Sequence, residues 1–349
     1  MADKISLHSL AAGEVAGLLA LFTRMRERAE AQCGTSVEVV CCYEAGYDGF
    51  WLQRLLAGHG IQTHVVDPAS IQVNRRARRA KTDRLDAQSI LRVLMAHHRG
   101  EPQVCSMVRV PTPEQEDAKR PHRERQRLIQ ERIRHVNRIK GLLATQGIRD
   151  FDPVRPDWQD RLAALRGADG TAPARHLAAE VRRECQRLHL VLDMIRTVEK
   201  ERDACSEPAG RQPGGERNID LLQKLKGVGP AFASVLYREV FYRDFANGRE
   251  VASYVGLTPS PYRSGRLDHD QGISKAGNAR ARTTAIELAW MWVRHQPDSA
   301  LTPWFRQRVG AIKGRIRRIM IIALARKLII ALWRYLETGL VPSGAVSKS

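Results

Sequence analysis

The sequence predicts an α/β domain followed by a larger helical portion, an α/β plus α chain with more than one core. Three observations carry this. Two short apolar runs, Val37–Tyr43 and Ile61–Val66, alternate with helical spacing over the first hundred or so residues. Beyond them the apolar spacing is mostly helical, and 349 residues suffice for two or three domains. The formal net charge of +19, in which arginine dominates, points to a polyanionic partner.

Taken in order, Ala11–Ala31 has helical spacing, with Leu18, Leu19, Leu21, Phe22 and Met25 on one side. Val37–Tyr43, valine-rich and bounded by Gly34 and Gly46, reads as a buried strand. A helix over Gly49–Ala57, a strand over Ile61–Val66 and a helix over Thr82–His98 follow. Strand–helix–strand–helix order implies a parallel sheet with helices packed against it. From Glu114 to Leu143 the chain is helical and basic, with Pro121 placed to start or interrupt the helix. A second long helix spans Pro173–Cys205, so the two form an antiparallel arm around the loop-rich stretch Arg149–Thr171. Glu207–Glu216 reads as a linker, and Gly256–Gly277 as a flexible insertion in an otherwise helical portion. The apolar run Ile319–Leu332 is broken by Arg326 and Lys327, which suits a buried helix rather than a membrane span. The expected domains are 1–112, 113–215 (arm and linker) and 216–340, with a disordered tail over 341–349. Cys33, Cys41, Cys42, Cys105, Cys185 and Cys205 form no C-x-x-C pair, so no zinc knuckle or disulfide framework is expected. No signal peptide opens the chain, and a cytoplasmic, non-membrane protein is expected.

Three constellations carry chemistry. Glu44 follows the first strand directly, at the sheet edge where open α/β folds place ligands. In Lys81-Thr82-Asp83-Arg84-Leu85-Asp86-Ala87 the aspartates are three apart, so on a helix their Cβ atoms lie about 5–6 Å apart. Oxygen ligands so spaced suit Mg²⁺ or Mn²⁺. Each acid alone also has a plain reading, Asp83 as a helix-start acid and Asp86 as a partner for Arg79 or Arg84. Next, Leu225-Lys226-Gly227-Val228-Gly229-Pro230 has the form of a helix-hairpin-helix, whose backbone N–H groups can approach a DNA phosphate. A simple helix-to-helix turn is the alternative. Last, Arg263, Arg266, Lys275, Arg280 and Arg282 crowd the insertion around Ser264. That hydroxyl could attack phosphorus, or be an ordinary turn serine. Arg123, Arg127 and Arg134 on the arm add candidates for salt-dependent phosphate contact.

Together these pieces resemble a family. Tyr43-Glu44-Ala45-Gly46-Tyr47, Val66-Asp67-Pro68 and Lys81–Ala87 resemble the amino-terminal domain of DEDD insertion-sequence transposases of the one-ten family, also called bridge-RNA recombinases. Leu225–Gly229, Phe245, Tyr254–Pro259, Ser264-Gly265 and Lys275–Asn278 resemble the carboxy-terminal transposase domain of that family. The resemblance implies a RuvC-like, RNase H-type domain whose four acids bind Mg²⁺ (or Mn²⁺), a long helical arm, and a mostly helical transposase domain. By motif position Glu44, Asp83 and Asp86 are the second, third and fourth acids, and Ser264 is the nucleophile that links covalently to DNA. It also implies a homo-oligomer (dimer or tetramer) in which one subunit's serine meets another's acids. The implied partners are double-stranded DNA, as element ends and target, and a structured guide RNA. The chain begins Met1-Ala2-Asp3-Lys4-Ile5, and Asp3 follows no apolar strand, so the carboxylate domain is expected to be incomplete at its start. The expected function is cleavage and joining of DNA during transposition. The alternatives are an inactive copy that only binds DNA or RNA, and a RuvC-type junction nuclease, for which the second half is larger than needed.

Overall fold

The computed structural model describes residues 6–47, 49–71, 82–101, 104–204, 215–264, 267–310, 312 and 314–348. Asp3, Arg79, Gly265, Arg266 and most of the expected linker lie outside them. The chain divides into two compact units, Met1–Thr112 and Pro113–Ser349. The helical arm and the carboxy-terminal helices, expected as separate domains, both fall in the second.

The first unit runs α1 (Val15–Cys33), β1 (Val40–Glu44), α2 (Trp51–Gly58), β2 (Gln62–Val66) and α3 (Asp83–His98). β1 and β2 pair in parallel, Val40 opposite Gln62 and Glu44 opposite Val66, as the strand–helix–strand order predicts. The far side of β2 is taken by residues 106–108, where Val108 N donates to Val65 O at 2.7 Å. β2 buries Thr63 and Val65 on one face and Val66 on the other, so its end is covered on both sides. Cys41 and Cys42 are half-buried, and burial pushes their thiols up to about 11 and about 12. They stay protonated, as packing thiols rather than metal-binding thiolates.

The second unit opens with α4 (Pro113–Asp117) and α5 (Arg120–Ala144). The expected single helix thus breaks at residues 118–119, and Pro121 sits in the first turn of α5, where its missing N–H costs nothing. α6 (Trp158–Ala163) and α7 (Arg175–Ala204) complete the arm. Leu128 meets Val191, Ile195 and Val198 at one end. Ile139 and Leu143 meet Val181, Cys185 and Leu188 at the other, closed by Phe151, Trp158 and Leu162.

Next come α8 (Gly215–Lys224), α9 (Pro230–Leu236), a π-helical turn (Tyr237–Phe241) and α10 (Gly248–Val255). Then follow β3 (Pro259–Ser264), β4 (Leu267–Ile273), α11 (Ala279–His295), α12 (Leu301–Val309) and α13 (Arg315–Thr338). Leu222, Leu236, Val255, Leu288, Trp292, Leu324 and Leu332 are among the buried residues of their common core. α13 joins that core from Met320 onward, while residues 314–319 are all exposed. Among the described residues no helix is long and apolar enough to cross a membrane.

Two expectations are corrected. The insertion at Gly256–Gly277 is not a flexible loop but an antiparallel hairpin, with Tyr262 opposite His269 and Ser264 opposite Leu267. Prolines 259 and 261 disguised it, and the register shifts between them, as befits residues that cannot donate to a ladder. Nor is the tail loose. Lys226 N donates to Val346 O at 3.0 Å, and Lys348 Nζ to Val228 O at 2.8 Å. Gln296 completes the tie, donating to the carbonyls of Lys226 and Val346 at 2.8 Å each and accepting from Val346 N at 2.7 Å. The tail lacks apolar periodicity because it is held by backbone hydrogen bonds, which leave no side-chain pattern.

Candidate functional site

Ser264 is the last residue of β3, and the base of its hairpin is a backbone crossing that only glycine allows. Gly256 has φ +71°, and a Cβ there would lie 1.9 Å from Ala276 O. Gly277 has φ +80°, and its Cβ would lie 2.2 Å from Tyr254 O. Both contacts are far below any real Cβ approach, so a side chain at either position would force the two ends of the hairpin apart. Arg282 bridges the crossing through Nη1, donating to Lys275 O at 2.9 Å and Val255 O at 3.2 Å. Asn278 caps α11, its side chain accepting from Ala281 N at 3.0 Å. The glycines and asparagine of the sequence motifs therefore build a rigid socket, and Lys275 beside them is exposed, with φ 57°.

Under this socket lies Glu239, which the sequence reading did not nominate. It is 2 % exposed and sits in the π-helical turn, whose extra residue turns it inward. Arg123 grips it with two bonds, Nε to Oε1 at 2.8 Å and Nη2 to Oε2 at 3.0 Å. His122 Nε2 lies 2.7 Å from Oε1, Arg280 Nη1 donates to Oε1 at 3.2 Å, and Asn278 Nδ2 donates to Oε2 at 3.0 Å. Burial alone would raise the Glu239 pKa, but the bonds from His122 and Arg123 outweigh it and hold the carboxyl far below the usual range. Burial also lowers the pKa of His122, which the Glu239 contact only partly offsets. Lys119, at the α4–α5 break, is pushed down to about 8 by burial and lies 3.8 Å over the Tyr242 ring. One carboxylate thus ties α5 of the arm to the cap of α11, next to the hairpin. A lone acid in the apolar run Val235–Phe241 was the only sequence signal for it.

Arg123 and Arg280, expected to face phosphate, both serve Glu239 here. Arg127 and Arg134 make looser pairs within the arm, to Glu131 at 3.7 and 3.9 Å, and remain well exposed. In the helix–turn–helix, Gly227 has φ +90° and Gly229 leads into Pro230 at the start of α9, while Lys226 is exposed.

The acids lie in the first unit. Glu44 is the last residue of β1 rather than beyond it. Thr82 caps α3, its hydroxyl accepting from Leu85 N at 3.3 Å, and Asp83 and Asp86 occupy the first turn. Cys42 Sγ, 3.8 Å from Ile90 O, ties α3 to β1, so Asp86 stands about one turn beyond that contact. Among the described residues no group of three or more His, Cys, Asp or Glu could hold a metal ion. The three acids therefore do not form a closed set for the implied Mg²⁺ or Mn²⁺, which wants several convergent oxygens.

Known proteins match this arrangement along its length. Residues 6–148 match a family model for the DEDD transposase, and residues 219–303 one for the transposase IS116/IS110/IS902 family. A protein of Sinorhizobium fredii named as a transposase, y4rJ, is 50 % identical over 99 % of this chain and 89 % of its own length. The transposase for insertion sequence element IS1111A of Coxiella burnetii is 27 % identical over 90 % of this chain and 83 % of its own. The chain belongs to the IS110/IS116/IS902 family of transposases, DNA-processing enzymes of insertion sequences.

Proposed function

We propose that this chain cuts and joins DNA during movement of an insertion sequence, with Ser264 as nucleophile. Its Oγ attacks a phosphodiester, so the Oγ–P bond forms and the bond to the leaving deoxyribose oxygen breaks. The hydroxyl proton ends on that oxygen. What carries the reading is the socket of Gly256, Gly277 and Arg282, which fixes the base of the strand that ends at Ser264. A nucleophile on a rigid support keeps the alignment that strand transfer requires. Phosphate contacts fall to Lys226, Gly227 and Gly229 in a helix-hairpin-helix, to Lys275, to Arg263 of β3, and to Arg266, which lies outside the described residues. Arg127 and Arg134 are the arm residues still open to nucleic acid.

Glu44, Asp83 and Asp86 form the acid side of a RuvC-like domain, and no step is assigned to a metal because the set is not closed. In this reading they act on the serine of another subunit of a homo-oligomer, with a structured RNA pairing to the DNA. Trapping with element-end DNA should give a protein–DNA adduct that Ser264→Ala lacks and Ser260→Ala retains. Adduct formation by Ser264→Ala would overturn the assignment. If neither wild type nor Ser260→Ala gives an adduct while both bind duplex, the chain is a binder only.

A further inference from the structure

Between Asp298 and Glu337 the chain carries nine lysine and arginine residues and no carboxylate. The structure places eight of them on α12 and α13, and Lys313 lies outside the described residues. Arg306 and Arg308 lie in the last turns of α12, and Arg315, Arg317 and Arg318 in the first turns of α13; all five are exposed. Among the described residues none of the five is in an ion pair.

Three features show that this charge is held in place rather than merely tolerated. Arg317 lies 5.1 Å over the Trp290 ring, and Arg308 and Lys327 lie 4.6 and 4.9 Å from the Trp304 ring. Indole faces orient a cation without neutralising it. The first turn of α13 contains no acid, so its arginines sit at the positive end of the helix, which disfavours them unless an anion is present. The same turns expose Ile316 (45 %) and Ile319 (51 %), three apart on one face, where solvent offers an apolar side chain nothing.

We propose that α12 and the exposed start of α13 form a binding surface for duplex DNA, separate from the serine hairpin. Arginines match the phosphate fork better than lysines do, and they predominate here. Residues 314–319 are each exposed, with Arg317 alone lying over an indole, and a helix with side chains is about 10–12 Å across, which the roughly 12 Å major groove of B-DNA accepts. The deep, narrow groove of A-form RNA does not. Ile316 and Ile319 then face base edges, where thymine methyls give apolar contact. The inference rests on the transposase reading only for DNA as the polymer.

The test is anisotropy of the full chain with a short duplex across roughly 50–200 mM salt, where each lost phosphate contact flattens the log–log slope by about 0.9. Arg315→Gln/Arg317→Gln/Arg318→Gln should flatten it by about 2 to 3 units. Arg138→Gln/Arg187→Gln/Arg196→Gln removes the same charge from the arm and should change it by well under one unit. Equal changes from both triples, or none from the first, would overturn the surface. A structured RNA losing as much affinity as the duplex, or a preference for phosphatidylserine vesicles, would overturn the choice of ligand. Glutamine is a good helix former at exposed positions, and unchanged circular dichroism confirms that the variants fold. Because the slope is read without cleavage, an adduct formed by Ser264→Ala would sink the strand-transfer reading and leave this one standing.

Discussion

The arm and the α12–α13 surface are both rich in arginine, yet they use it in opposite ways. On the arm helices α5 and α7 nine of the thirteen arginines meet a carboxylate. Arg138 donates to Glu180 at 2.6 Å across the two helices, and Arg125 and Arg187 pair with Glu199 and Glu184. His135 lies 2.7 Å from Glu184, and Arg123 is bound to buried Glu239. On α12 and α13, among the described residues, no arginine is in an ion pair, and Arg308 and Arg317 lie over indoles. Charge count alone therefore misplaces a nucleic-acid surface. What attracts phosphate is charge that the protein has not already compensated, and the most basic run in the sequence is the more compensated of the two.

The comparison breaks first at Glu239, where the arm's charge is buried. Glu239→Ala leaves His122, Arg123 and Arg280 facing a hole and should cost about 3–5 kcal/mol in denaturant unfolding. Glu239→Gln should cost less, since it keeps acceptors for two of the donors. The same site sets an acid limit. The folded pKa of Glu239 is depressed, so its contribution is complete above the ordinary carboxylate range and is lost as pH falls through and below it. The folded pKa of His122 is depressed as well, and the unfolded chain takes that proton first as pH drops below about 6.5, which also favours unfolding. Both signs agree, so thermal midpoints should fall from neutral pH toward acid, and the fall should be shallower in Glu239→Gln. A flat profile would contradict the buried network.

A charge reversal in each region then sharpens the contrast at a smaller scale. Arg315→Glu places an acid at the start of α13 and should raise the stability of the free protein by about 0.3–1 kcal/mol while weakening duplex binding. Arg138→Glu faces Glu180 across the arm and should lower stability by roughly 0.2–1 kcal/mol with little effect on binding. Thermal melts and anisotropy on the two variants check both signs. Loss of stability in Arg315→Glu would mean that its cation is compensated after all.

How much could be read beforehand followed the range of the interactions. The parallel pair β1–β2 was legible because valine-rich runs flanked a helix within a short stretch. The capping of α3 by Thr82 and of α11 by Asn278 lies in adjacent residues, whereas Gly256 and Gly277 of the hairpin socket meet backbone about twenty residues away. Glu239 was invisible because its partners His122 and Asn278 are 117 and 39 residues away. The β3–β4 hairpin was missed because prolines conceal a strand. The run Ile319–Leu332 reads as one buried helix, and the change of environment between Ile319 and Ile321 within α13 leaves no mark in hydrophobicity. Of the candidate site, the residue types were readable. Which arginines already had partners was not.

The tie between the tail and the turn at residues 225–229 also has a consequence in time. Lys348 and Val228, which it joins, are separated by 120 residues. At about 5–20 residues per second a ribosome needs roughly 6 to 24 s to make that interval. Until Gln296 is made the new turn lacks the donor to Lys226 O, and until Val346 is made it lacks the acceptor for Lys226 N. The turn that the proposed function sets against DNA therefore closes only once residues 346–348 have been made and folded back onto it.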